Sequence, residues 1–229
     1  NFKITVMKKK DFLWSLLAFV MAATLSVGFS SCGGDDDDDS GNNNKEIDNK
    51  EIDNSPADAV DLGLSVKWAS CNVGATKDSE VGNFYLWGET ETKDYYYDDS
   101  YTLDETSLPR NIANTQYDVA HVKWGGKWRM PTETELRELI SCESRKVTRN
   151  GREGYMFYGK NGNTIFLPAT GMAYKSEIRD DGVEGWYWSS TNDDGMIPAL
   201  TFDFDYNEGP HIYEILTTRG AVVRPVCGY

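Results

Sequence analysis

The chain has 229 residues, with 37 acidic against 23 basic side chains and a formal charge of -14 at neutral pH. A chain that acidic repels nucleic acid and anionic lipid surfaces, because both bind through lysine and arginine, so neither is expected as a charge-driven partner. Its two histidines, His121 and His211, stand in no His-Glu-x-x-His frame, and Cys-x-x-Cys and Gly-x-Ser-x-Gly frames are also absent, which leaves metal hydrolysis and serine chemistry without support.

The first element in chain order is Met7, three lysines (Lys8, Lys9, Lys10) and the run "DFLWSLLAFVMAATLSVGF", uncharged after Asp11 and ending in the small Ser30 and Ser31. This is the layout of a secretory signal peptide, and residues 1–31 are expected to be removed, with "NFKITV" before Met7 lying upstream of the true start. Phe29-Ser30-Ser31-Cys32 resembles the lipobox of bacterial lipoproteins, with Phe29 where Leu is usual. The resemblance implies that Cys32 is acylated and becomes the mature N-terminus, tethered to a membrane by several chains, since one alone holds only marginally. The five aspartates Asp35 to Asp39 resemble the acidic export signal of Bacteroidetes surface lipoproteins, which implies an outer-membrane protein facing outward. Loss of residues 1–31 removes four lysines and one aspartate and takes the charge from -14 to -17.

From Cys32 to Ser55 the chain is nearly free of apolar residues and repeats "KEIDN" at 45–49 and 50–54. Such a stretch cannot offset its ordering entropy by burial, so residues 32–55 are expected to form a flexible linker. Residues 56–229 then form one domain. Its runs at 62–73, 153–159, 163–169, 185–191, 198–204 and 221–227 are short, apolar and bounded by turn residues, as strands are. Asn161-Gly162 predicts a two-residue hairpin turn. Thr132 and Glu135 form a capping box ahead of Leu136, Leu139 and Ile140, which predicts a helix, and a weaker one is expected over roughly 114–121. Residues 93–110 are aromatic, acidic and aperiodic, as a long surface loop would be. The class is therefore α+β, mostly antiparallel strands with one or two helices.

"VDLGLSVKWASCNVGA" (60–75), "FYLWGET" (84–90), "WGGKWRMPTETELRELI" (124–140), "GNTIFLPATG" (162–171), "GWYWSST" (185–191) and "VVRPV" (222–226) together resemble the Fibrobacter succinogenes major paralogous domain, common in Bacteroides lipoproteins. The resemblance covers nearly the whole domain and implies a C-type-lectin-like fold whose N- and C-terminal strands pair. It implies no settled activity. "GGKWRMPTETELREL" also resembles the helix-start block of formylglycine-generating enzymes, with Leu136 where those carry Trp. Their chemistry needs two cysteines near the C-terminal end, and only Cys227 lies there.

Cys71, Cys142 and Cys227, in an oxidising compartment, are expected to give one disulfide and one free thiol, in any of three pairings. Lectin-type calcium binding would need a Glu-Pro-Asn or Gln-Pro-Asp motif, and Asn192 and Asp193 have none beside them. Asp203, Asp205, Asn207 and Glu214 occupy the first, third, fifth and twelfth places of a calcium loop, but Glu208 stands where glycine is required, so a plain strand with aspartates facing water is the favoured reading. No cofactor is expected. The remaining candidate is the aromatic segment with Trp87, Tyr95, Tyr96, Tyr97 and Tyr101, which suits sugar stacking or a protein interface, unless Trp87 and some of the tyrosines fill the core. Three consecutive tyrosines cannot all point inward. The expected function is a non-catalytic, surface-displayed binding module for glycan or protein, with a structural or adhesion role as the alternative.

Overall fold

The computed structural model describes residues 53–229. The expected signal peptide, Cys32 and the aspartate run lie outside the described residues. In chain order the elements are β1 (Ala59–Asp61), β2 (Lys67–Ala69), α1 (Val119–Trp124), α2 (Glu133–Ile140), β3 (Glu143–Arg149), β4 (Arg152–Tyr158), β5 (Thr164–Pro168), β6 (Met172–Tyr174), β7 (Glu177–Arg179), β8 (Glu184–Trp188), β9 (Met196–Asp203), β10 (Glu208–Leu216) and β11 (Val226–Cys227). The strands form four small antiparallel sheets, ordered β1-β2-β11, β3-β4-β5, β6-β7 and β8-β9-β10. With two helices, this is the expected α+β class. The stretch around β2 and the last strand, β11, pair directly, Val226 opposite Trp68.

One polar side chain ties the chain's distant parts together. Arg224 is buried and donates to Asn72 Oδ1 (2.7 Å), to the Ala69 and Ser70 carbonyls (3.1 and 2.9 Å) and to the Phe166 carbonyl of β5 (2.9 Å). A buried guanidinium costs stability unless its donors are satisfied, and here Nε, Nη1 and Nη2 all find acceptors. Asp118 does the same for α1. Its carboxylate accepts from the backbone N–H groups of Asn114, Ala120, His121 and Met130, so the helix starts at Val119 and not near residue 114 as expected. Burial pushes this carboxyl's pKa up, against N–H groups that favour the anion.

The α2 capping box is present: Thr132 Oγ1 accepts from Glu135 N, and Glu135 Oε2 accepts from Thr132 N at 2.8 Å. Arg129 also clamps Glu135, with Nη1 to Oε2 at 2.8 Å, and holds its carboxyl below the usual range despite burial. Turn chemistry differs from expectation in one place. Only Gly162 has positive φ in the β4–β5 turn (87°), and Gly159 and Gly162 close a longer loop, because the Asn161 side chain is drawn off to the Asp61 carbonyl at 2.8 Å. The two-residue turn with positive φ at both centres sits instead at Asn150-Gly151, between β3 and β4.

Two apolar cores lie on opposite faces of β8-β9-β10. Tyr187, Leu200 and Phe202 face one of them, together with Leu136 and Leu139 of α2. The other takes Trp188, Ala199, Ile197 and Ile215, with Trp87, Trp124 and Trp128. Asp53 and Asn54, in the stretch expected to be linker, are already fastened to the domain: Asn54 N–H donates to the Trp124 carbonyl at 2.7 Å, and Trp128 Nε1 to Asp53 at 3.1 Å. The expected disulfide is not formed. Cys71, Cys142 and Cys227 are all free thiols, the Cys71 Sγ turned to the Ala75 carbonyl at 3.3 Å.

Candidate ligand-binding surfaces

The aromatic segment divides between core and surface. Trp87 has no exposed area, and its Nε1 donates to the Ser189 carbonyl (2.9 Å) while Trp188 Nε1 donates to the Tyr85 carbonyl (2.8 Å), so the two indoles lock the segment to β8. Trp87 is therefore a core residue and takes no part in a surface stack. Tyr96 is buried too, its hydroxyl donating to the Phe84 carbonyl and accepting from Lys93 N–H. Tyr101 is half-buried and donates to the Trp87 carbonyl at 2.9 Å. Burial, with Glu105 and Glu89 nearby, pushes the Tyr101 phenol well above its ordinary value. Of the three consecutive tyrosines, which were not expected all to point inward, Tyr95 and Tyr97 turn outward. The surface loop at 93–110 is thus pinned along much of its length.

A cleft of about 420 Å³ opens beneath that loop, lined by Gly88, Glu89, Lys93, Thr102, Gln116 and Tyr117 among others. Its most buried polar group is already in use. Glu89 Oε1 accepts from Thr102 N–H and Oγ1, both at 2.8 Å, and from Lys93 Nζ at 2.9 Å, while Oε2 lies 2.6 Å from the same ammonium. This knot closes the loop and leaves little for a ligand to claim.

The calcium-loop candidates do not converge. Asp203 ends β9, and its Oδ1 accepts from Asp205 N and Tyr206 N to make the β9–β10 turn, where Asn207 takes positive φ (55°). Glu214 pairs with Pro198, five residues along β9 from Asp203, or about 17 Å away in a strand. No cluster of three or more metal-ligating side chains occurs among the described residues.

The surface that sequence reasoning missed is the outer face of β8-β9-β10 near this turn. Strand pleating puts alternate residues on one face, and the register sets them in rows: Glu184, Asp203 and Glu208, then Trp186, Thr201 and His211, with Tyr213 beside them. At the Trp188 end the second core covers this face; at the Glu184 end it is open, as a cleft of about 150 Å³ lined by these seven residues. A bulge between Glu208 and His211, where Pro210 could not donate to the ladder, turns β10 over the rim. Trp186 and Tyr213 meet edge to face at 6.1 Å, and Tyr213 is 58% exposed.

The polar groups of the cleft are half-committed. Trp186 Nε1 donates to Glu184 Oε2 at 2.6 Å, and His211 Nδ1 lies 2.9 Å from the Gly209 carbonyl, leaving Nε2 3.9 Å from Glu208. Among the described residues, no lysine or arginine pairs with Glu184, Asp203 or Glu208. Burial raises the Glu184 pKa, the Trp186 N–H opposes this, and Asp180 and Asp203 add to the rise. The cleft thus offers carboxylate acceptors, an imidazole and an aromatic corner. Runs over β8 and β9 were read as strands from the sequence; β10 and the register joining the three were not.

Comparison with known protein families, with curated proteins and with solved structures finds no match in any of the three.

Proposed function

We propose that the chain is a surface-exposed, lipid-anchored outer-membrane protein whose domain is a non-catalytic glycan-binding module of C-type-lectin-like fold. The pairing of β2 with β11, which joins the two ends of the domain in one sheet, supports that fold. The observation that carries the function is the open cleft on β8-β9-β10. Trp186 and Tyr213 present ring surface against which the apolar face of a sugar can lie, and Glu184, Asp203, Glu208 and His211 stand around it as partners for hydroxyls.

The test is a glycan array probed with the full-length protein in detergent. Trp186→Ala and Tyr213→Ala should each weaken the best neutral-glycan signal at least tenfold, as removal of a central aromatic does at a binding hot spot. Wild-type protein that binds no glycan yet captures surface proteins would sink this reading in favour of an adhesion component. The anchor is tested separately, through Cys32. Cys32→Ala should abolish incorporation of an alkyne fatty acid, and equal labelling of the variant would refute the lipid attachment.

A further inference from the structure

The residues that turn Tyr95 and Tyr97 outward belong to a second surface, which shares no residue with the cleft. Lys175 N–H donates to the Tyr96 carbonyl (2.7 Å), and Tyr96 N–H to the Lys175 carbonyl (2.8 Å), so the β6–β7 turn is bonded to the loop at its buried tyrosine. Tyr95 and Tyr97, the neighbours of Tyr96, then lie on the opposite side. Tyr97 packs edge to face on Tyr174 at 5.4 Å, with Tyr95 6.4 Å from Tyr97.

Three cations gather on these rings. The Arg179 guanidinium sits 3.8 Å from the centre of Tyr174, Arg219 lies 4.8 Å from Tyr174 and 5.5 Å from Tyr97, and Lys175 Nζ is 5.2 Å from Tyr97. Arg219 has Asp98 at 3.5 Å, and Thr218 also donates to that carboxylate. Arg179 and Lys175 are exposed and have no carboxylate within ion-pair distance among the described residues; the nearest acids in sequence are Glu177, opposite Tyr174 in the β6–β7 register, and Asp180, which follows Arg179 and whose charge is felt by Glu184. A guanidinium stacked on a ring keeps its N–H edge free, in the fork that matches a carboxylate. On a chain of charge -14, Lys175 and Arg179 are two cations that no carboxylate within ion-pair distance among the described residues neutralises.

We propose that the Tyr97–Tyr174 stack, with Arg179 and Lys175, is a binding site for an acidic sugar residue, a uronate or a similar ring carboxylate. The cations carry the carboxylate half of the inference alone; the sugar half rests on the glycan reading above and on Tyr95. Among the described residues no cation lies over the Tyr95 ring, which is 36% exposed, so beside the anion-binding edge stands a partly exposed ring for a pyranose to pack against. A peptide carboxylate, on a flexible stem, brings no such face. Asp98, Glu177 and the chain's overall charge also disfavour a dense polyanion, which leaves a ligand with one carboxylate at the contact.

Titration calorimetry of the full-length protein with glucuronate, glucose and N-acetylglutamate amide tests the site. Glucuronate should bind at least tenfold more tightly than either comparison compound and weaken with added salt. The double variant Lys175→Gln/Arg179→Gln, both positions being exposed, should fold normally and lose at least tenfold in glucuronate affinity. Trp186→Ala should leave glucuronate binding unchanged, which separates this site from the neutral-glycan cleft whatever the fate of that reading. The proposal is overturned if glucose binds as well as glucuronate, if N-acetylglutamate amide does, if wild type binds no glucuronate at millimolar concentration, or if the double variant keeps its affinity. Loss of glucuronate binding in Trp186→Ala would also overturn it, by moving the carboxylate to the cleft.

Discussion

The tyrosine-rich loop and the open end of β8-β9-β10 carry similar residues to opposite ends. Both combine aromatics with carboxylates. In the loop, the indole of Trp87 and the hydroxyls of Tyr96 and Tyr101 are spent on main-chain carbonyls at Ser189, Phe84 and Trp87, and Glu89 on Thr102 and Lys93. On the sheet, Trp186 and Tyr213 meet each other, the Trp186 indole N–H goes to Glu184 and Asp203 Oδ1 to its own turn, but among the described residues the carboxylates of Asp203 and Glu208 pair with no lysine or arginine. An irregular segment has few backbone partners of its own, so its side chains are recruited to fix it; a strand's ladder satisfies its backbone and leaves its side chains for other uses.

The largest test of this contrast is a pair of tryptophans. Trp87→Ala should leave a core cavity and an unpartnered Ser189 carbonyl, costing about 3–5 kcal/mol. Trp186→Ala, at the half-buried rim, should cost about 1 kcal/mol while removing glycan binding. Urea unfolding followed by fluorescence compares the two. If the costs come out equal, the division into a structural loop and a displayed face does not hold.

What could be read from the sequence follows how local each interaction is. The Thr132–Glu135 capping box spans three residues and was legible, as were strand runs such as 163–169, most of which is β5. The α1 start was misplaced because its cap, Asp118, is fixed partly by Met130 N–H, twelve residues away. The turn at Asn161-Gly162 has the right residues for a two-residue loop, but Asn161 answers to Asp61, a hundred residues earlier. Of the run 221–227, only Val226 and Cys227 form a strand, since Arg224 at its centre turns inward to four acceptors across the domain. The cleft depends on a register of three strands, which periodicity within any one of them does not determine.

The smallest effect expected is electrostatic, and it concerns the state of the cleft without ligand. Burial and the neighbouring Asp180 and Asp203 raise the pKa of Glu184 in the folded protein, so folding favours its protonated form. The stability this contributes is complete below the ordinary glutamate range and is lost as pH rises through the raised native value. A glutamine at 184 has no charge to develop, and it can still accept the Trp186 N–H bond. Glu184→Gln should therefore match wild type near pH 4 and be more stable near pH 7, with a melting temperature higher by roughly 1–3 °C. A variant less stable than wild type near pH 7 would mean that the ionised carboxylate is favoured in place, and that the open face holds its three acids without strain.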